Sequence, residues 1–134
     1  MSALIDKLTD YGCKVNESMG RFLNNEDFYG KCFTKYIHDE SFGELGEAIK
    51  AGDVKAAFGA AHDLKGISAN MGITPVYDLV ISIVEEFRAG RMPDHALTTW
   101  EEIMTVREKF LFFLIICMTN LFPVKFWQQK TSHF

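Results

Sequence analysis

The sequence predicts an all-α protein, an antiparallel up-down four-helix bundle with one or two extra short helices at the N-terminus. Apolar residues recur at the three- and four-residue spacing of amphipathic helices along most of the 134 residues. Helix start and stop residues, such as Asp53, Gly72 and Pro75, separate these stripes, and strand patterns are nearly absent. Long helices joined by short turns pack antiparallel, which favours a bundle.

The N-terminal part of the chain is expected to precede the bundle as an extension. Residues 3–23 offer one or two short helices, with a break near Gly12. After the polar pair Asn24-Asn25, apolar pairs recur at four-residue steps over residues 28–37. This spacing predicts the next amphipathic helix.

Two helices on either side of Gly52 are expected to form a hairpin. The apolar stripe over residues 42–49 follows an expected cap at Ser41 and ends at Gly52. Asp53 comes directly after this glycine and is a good N-cap for the next helix, which runs to about Met71. Because the connection is so short, the two helices should pack antiparallel.

Start signals mark the last two helices. Thr74-Pro75 places an expected cap before a proline at the first helical position, and the helix ends by Gly90. Asp94 is expected to open the final helix, which continues into the unbroken apolar run of residues 110–118. That run is about half the length of the roughly 20-residue segment that spans a bilayer. It fits a buried helix, or a helix whose outer face forms a homodimer, better than a membrane span.

Nothing in the sequence divides the chain, because it has no internal repeat, low-complexity tract or linker. We therefore predict one domain over residues 1–134, with an N-terminal extension (1–23), a bundle (24–121) and a C-terminal tail (122–134). The N-terminus is charged where a signal peptide would need a longer apolar stretch, which predicts a cytoplasmic protein.

Charge and cysteine content exclude several classes of function. A net charge of -4 and a pI near 5.5 provide no general attraction for nucleic acid or for an anionic membrane. The three cysteines are odd in number and lack C-x-x-C spacing, so they indicate neither a zinc knuckle nor a redox pair. We expect them to be buried thiols in a reducing compartment.

The residues that can carry chemistry lie on the helix predicted to start after Asp53. Its apolar residues share one side, namely Ala57, Ala60, Leu64, Ile67 and Met71. His62 lies on the opposite side and should face water. The residues around it on the helical wheel are Lys55, Phe58, Gly59, Lys65, Gly66 and Ala69.

Two glycines flank His62 on its own face of the helix. Glycine inside a helix costs about 0.5–1 kcal/mol relative to alanine, so Gly59 and Gly66 predict that this surface must stay uncrowded. Another protein could then bring its reacting group to the ring, with Phe58 and Ala69 as apolar contacts. For Gly59, close packing of a neighbouring helix is an equally good explanation.

The residue types on this face suit phosphoryl transfer. Imidazole offers a nucleophilic nitrogen near neutral pH, and a nearby cation such as Lys65 stabilises the negative oxygens of a phosphoryl group. Most exposed histidines are merely solvated, and His38, His95 and His133 lack comparable surroundings. No metal-ligand spacing and no Walker-A or other ATP-binding motif occurs, so neither a metal site nor a kinase is predicted.

Residues 61–66, Ala-His-Asp-Leu-Lys-Gly, followed by Gly72, resemble the H-x-x-K-G-x(5)-G signature of histidine-containing phosphotransfer (HPt) domains. The similarity extends over roughly residues 24–104. It implies a four-helix bundle that accepts a phosphoryl group from a receiver-domain aspartate and passes it to another. By this resemblance His62 is the phospho-acceptor, Lys65 steadies the phosphoryl oxygens, and Gly66 clears the docking face. Lys55, which shares this face on the helical wheel, is a further expected docking contact. Gly72 would serve the turn after the helix.

The resemblance also implies a place in a bacterial-type two-component phosphorelay. The chain would be a phosphocarrier with a phosphohistidine intermediate, not an enzyme, and would need no cofactor of its own because the receiver brings Mg²⁺. Its partners would be response-regulator receiver domains, with a hybrid sensor kinase as a further candidate. The chain departs from the family at residues 110–127, where members usually finish with an amphipathic helix.

Two other functions remain open at this level. One is a degenerate HPt-like adaptor that binds signalling partners without carrying phosphate, although an adaptor has no need of a solvent-facing nucleophile. The other is a helical phosphatase that uses His62 covalently, which would have to hydrolyse a small phosphoester without any receiver.

Overall fold

The computed structural model describes residues 2–119, and every regular element in this range is a helix, which confirms the predicted all-α class. The predicted tail (122–134), with His133, lies outside the described residues. In chain order the elements are α1 (Ser2–Asp10), α2 (Val15–Ser18), a short 3-10 helix (Met19–Phe22), α3 (Glu26–Ile37), α4 (Ser41–Ala51), α5 (Val54–Met71), α6 (Thr74–Arg88) and α7 (Ala96–Met118).

Local signals at the α4–α5 hairpin act largely as predicted. Gly52 ends α4 with a φ of +69°, and the side chain of Asp53 accepts a hydrogen bond from the Ala56 N–H at 3.0 Å. The expected cap at Ser41 is wrong. Ser41 is the first residue of α4, and its N–H donates to the carboxylate of Asp39 at 2.9 Å, because an aspartate side chain readily accepts from the backbone two residues ahead.

Four helices close into a ring. α4 packs on α5, α5 on α6 and α6 on α7, and α7 returns to α4, with short connections that make successive helices antiparallel. The predicted four-helix bundle is therefore formed by α4–α7. The helix α3, which falls within the range 24–121 predicted for the bundle, lies outside the ring and packs against the 3-10 helix, α1 and α7.

Two buried tyrosines of α3 bond to α5 and set its orientation. The hydroxyl of Tyr36 shares a hydrogen bond with that of Ser68 at 2.8 Å, and Tyr29 donates to the Met71 carbonyl at 2.8 Å. Burial raises the pKa of both tyrosines above the usual range, so both hydroxyls stay protonated. Because Ser68 and Met71 are on the inner side of α5, these bonds keep its other side turned towards water.

Trp100 of α7 lies against α4 on the far side of the ring. Its indole N–H donates to the Phe42 carbonyl at 2.7 Å, and the Lys50 ammonium lies 4.8 Å from the centre of an indole ring. A Cβ at Gly46 would overlap the indole ring, so only glycine allows this approach. We call Gly46, Lys50 and Trp100 the Trp100 face.

The apolar run of residues 110–118 is buried on one side only. Phe110 and Leu114 point into the core, which accounts for part of the run. The exposed residues of the run are Phe112, Ile115 and Met118, with exposed fractions of 47%, 46% and 63%. Self-association through this segment stays a prediction. Within residues 2–119, no helix has both the length and the apolar character needed to cross a membrane.

The three cysteines are free thiols that differ in burial. Cys13 is buried, and this burial raises its pKa to about 12. Cys32 and Cys117 are only partly buried, so the expectation of buried thiols holds fully for Cys13 alone.

Candidate functional site on helix α5

The helix α5 has an apolar inner side and a sparsely covered outer side. Its buried residues are Ala57, Ala60, Ala61, Leu64, Ser68 and Met71, while Ile67, predicted for the same side, is partly buried. His62 is exposed on the outer side. We call the outward residues the His62 face; they are Lys55, Phe58, Gly59, His62, Lys65, Gly66 and Ala69.

Within the described residues, the His62 ring lies beside the Phe58 ring. Its centroid lies 5.5 Å from that of the Phe58 ring, one turn earlier, with 32° between the planes. Neither ring nitrogen has a hydrogen bond to any residue within the described range 2–119. The nitrogens are thus not engaged by the part of the chain that the structure describes.

Two lysines contribute positive charge to this face. Lys65 follows His62 by three residues, so the two side chains are neighbours on the helix surface. Lys65 is partly buried and Lys55 is exposed, and neither forms an ion pair or side-chain hydrogen bond with another described residue. The Lys65 ammonium can therefore bind an incoming anion without first leaving a partner in this part of the chain.

The glycines of the His62 face are not required by internal packing. Apart from the adjoining backbone of α5, a Cβ added at Gly59 or Gly66 would meet no atom of the described residues within 4 Å. Close approach of a neighbouring helix, the alternative considered for Gly59, therefore does not account for it. The two positions leave bare backbone on both sides of His62, and Ala69 extends this low surface by a further turn.

Gly72 at the end of α5 is glycine for a different reason. Its φ is +76°, which L side chains rarely adopt, and an added Cβ would lie 2.6 Å from the Lys14 carbonyl oxygen. The Gly72 carbonyl also accepts a hydrogen bond from the Lys14 N–H at 2.8 Å. Gly72 thus ends the helix and holds the N-terminal segment against it.

Arg88 of α6 also reaches this face, although no pattern in the sequence predicts it. Its guanidinium carbon lies 4.9 Å from the centre of the Phe58 ring, and its Nε pairs with Glu85 at 3.1 Å. Arg88 therefore brings a third cation to the edge of the His62 face. The helical wheel of α5 could not reveal it, because Arg88 belongs to another helix and reaches α5 only through tertiary packing.

His38 and His95, the other histidines of the described range, have different surroundings. His38 Nδ1 lies 2.8 Å from the Thr34 carbonyl oxygen, and His95 Nε2 lies 3.4 Å from that of Ser82. Within residues 2–119, no group of three or more histidine, cysteine, aspartate or glutamate side chains could hold a metal ion.

Comparison with protein families identifies the domain. The model described as the Hpt domain matches residues 38–105, half of the chain, and this range contains α4, α5, α6 and the first part of α7. Neither the search of curated proteins nor the search of solved structures found a match. The chain belongs to the Hpt domain family, whose domains are phosphocarriers in the histidine phosphotransfer of two-component systems.

Proposed function

We propose that this chain relays phosphoryl groups between receiver-domain aspartates, carrying each group on His62. One observation carries the proposal: the exposed His62 ring has no hydrogen bond within the described chain and lies between two glycines that internal packing does not require. The membership of the Hpt family supplies the reaction class.

The reaction needs little from this chain beyond a nucleophile and a cation. A ring nitrogen of His62 attacks the phosphorus of an aspartyl phosphate, an N–P bond forms, the acyl P–O bond breaks, and the aspartate leaves as carboxylate. Lys65, one turn away, stabilises the charge on the phosphoryl oxygens. The reverse displacement passes the group to the next receiver. Mg²⁺, where it is required, is expected on the receiver.

Docking would use the whole His62 face. Phe58 and Ala69 offer apolar contact to a receiver domain, Lys55 and Lys65 offer positive charge, and the glycines leave room for its active-site loops. The proposed partners are receiver domains of response regulators and, as a source of phosphate, a hybrid sensor kinase. Binding of this kind is expected to be transient.

The test is transfer from a radiolabelled phospho-receiver. We expect the wild type to take up an acid-labile, base-stable phosphoryl group and His62→Gln to take up none. The control is His95→Gln, which removes an exposed histidine in the loop between α6 and α7, outside the His62 face. This variant should be labelled like the wild type. Equal labelling of wild type and His62→Gln would remove the assignment.

The same experiment, together with a measurement of the affinity for the receiver, separates the relay from the adaptor alternative. An adaptor would bind receivers with unchanged affinity after His62→Gln, and the wild type would take up no phosphate. A relay protein must lose uptake with this substitution, whatever happens to its affinity for the receiver.

A further inference from the structure

A chain of contacts leads from α6 to the imidazole of His62. Glu85 pairs with Arg88 at 3.1 Å, the Arg88 guanidinium lies over the Phe58 ring at 4.9 Å, and the Phe58 and His62 rings are 5.5 Å apart. Phe58 is partly buried and packs against the core, so its ring is held on its inner side as well. The ring is therefore restrained by two helices.

These contacts affect the orientation of the His62 ring. They do not bury the ring, which stays exposed. An exposed side chain ordinarily samples several rotamers, and an aromatic ring one turn earlier favours those in which the imidazole packs on it. Phe58 can favour one orientation only if it stays in place, and Arg88 opposes its movement away from α5. Transfer depends on this orientation, because the attacking nitrogen must lie in line with the phosphorus.

We propose that Phe58, held from α6 by Arg88, is a positioning residue that orients the His62 ring for phosphoryl transfer. The inference rests on the proposed function and deepens it. Arg88 then acts through Phe58, and its effect on transfer disappears when the Phe58 ring is absent. In this role Phe58 differs from a simple apolar contact for the partner, since it is required before docking.

The ion pair of Arg88 does not by itself account for its place in the structure. Arg88 and Glu85 have side-chain exposures of 51% and 63%, and pairs as exposed as this contribute little to stability. A second pair on the same stretch, Arg91 with Glu86 at 2.8 Å, is similarly exposed, but no described aromatic ring lies under Arg91. Arg91→Gln is therefore a matched control for Arg88→Gln.

The experiment is a double-mutant cycle with Phe58→Leu and Arg88→Gln, and Phe58→Tyr as the variant that retains a ring. Transfer from a phospho-receiver is timed at saturating receiver, so that docking affinity does not limit the rate. We expect Phe58→Leu to slow transfer about three- to tenfold, the range that one aromatic pair contributes when expressed as a rate ratio. Arg88→Gln should slow it less, and the double variant should match Phe58→Leu.

A second measurement reports on the ring without any phosphate. Three-bond couplings across the His62 Cα–Cβ bond, measured by NMR, should indicate one dominant rotamer in the wild type and in Phe58→Tyr. They should show averaged rotamers in Phe58→Leu, and partial averaging in Arg88→Gln. Arg91→Gln should leave both the couplings and the rate unchanged.

Each unfavourable result has one meaning. Wild-type couplings that are already averaged, or a wild-type rate in Phe58→Leu, would overturn the positioning role. An equal slowing by Arg88→Gln with and without Phe58 would show that Arg88 acts independently, and equal slowing by Arg91→Gln would show a general charge effect. A wild type that takes up no phosphate but has an ordered His62 ring would instead count against the proposed function.

Discussion

Two surfaces of the bundle combine glycine, lysine and an aromatic ring, and they use them in opposite ways. On the Trp100 face, a Cβ at Gly46 would overlap the indole, and the Lys50 ammonium lies over the same ring. The indole N–H is used as well, since it donates to the Phe42 carbonyl. These groups are committed to holding α7 against α4.

On the His62 face the glycines, the Lys65 ammonium and the imidazole nitrogens are left open, although the Phe58 ring is packed against the core and Arg88. Gly59 and Gly66 have free space where a side chain would be, and the Lys65 ammonium and the ring nitrogens of His62 have no hydrogen bond within the described residues. Groups that contribute nothing to the internal packing are expected to act on a partner. The comparison separates groups that are engaged within the bundle from groups that are free to meet a partner, for which phosphoryl transfer is the proposed use.

The largest effect is expected at Gly46. Gly46→Ala should lower the free energy of unfolding by about 1–3 kcal/mol, because the added methyl group displaces the indole and strains the contact between α4 and α7. Urea denaturation would measure this. Gly43→Ala in the same helix is the control, since a Cβ there meets nothing within 4 Å and stability should not fall. Equal stability of the two variants would contradict the packing role of Gly46.

Substitutions of Lys65 and Lys50 should affect different properties: the first should change the rate of phosphoryl transfer, and the second should change the free energy of unfolding. Lys65→Gln is expected to slow phosphoryl transfer about tenfold, less than the roughly 100- to 1,000-fold typical of an enclosed oxyanion donor, because this site is open to water. Its free energy of unfolding should not change. Transfer kinetics and urea denaturation on the same variants provide both measurements.

Lys50→Gln is the matched comparison for Lys65. It should lose about 0.5–1 kcal/mol of stability, the usual contribution of an exposed cation–π contact, and transfer at the wild-type rate. A loss of transfer in Lys50→Gln, or a loss of stability in Lys65→Gln, would break the division between the two faces.

The last expected effect is a gain in stability. Gly66→Ala should raise the free energy of unfolding by about 0.5–1 kcal/mol, since alanine is the better helix former and its Cβ meets nothing here. The same substitution should slow transfer, because it adds bulk where a receiver approaches. Gly43→Ala, away from this face, should leave transfer unchanged. Normal transfer in the stabilised Gly66→Ala protein would argue against a docking role for the glycine.

Much of the site could be predicted because it depends on one helix. The spacing of apolar residues along α5 indicates its inner side, and the same period puts His62, Lys65 and both glycines outside. The cap at Asp53 and the stop at Gly72 follow from short-range backbone chemistry. Patterns of this kind act over one or two turns and need no knowledge of the rest of the chain.

Errors and omissions arose where a neighbouring side chain competes for a cap or where a distant helix decides. Ser41 was expected to cap α4, but Asp39 accepts the hydrogen bond because it lies at the right distance in the preceding turn. The chain's own pattern did not reveal that α3 lies outside the ring, since its stripe is as amphipathic as those of the bundle helices. An amphipathic pattern indicates that a helix buries one face. It does not indicate which other helix covers that face.

By itself the sequence determined that residues 2–119 are helical, the side of α5 that carries His62, and the resemblance that the family match then confirmed. The exact helix starts were wrong at three places: Ser41 and Thr74 are first helical residues and not caps, and α7 begins at Ala96 and not at Asp94. Only the tertiary structure decided that Arg88 lies over Phe58, that Trp100 needs a glycine at position 46, and that Lys14 lies against Gly72. The physical reason is that helical periodicity is a property of neighbouring residues, whereas these contacts depend on how whole helices cross and where they are in register.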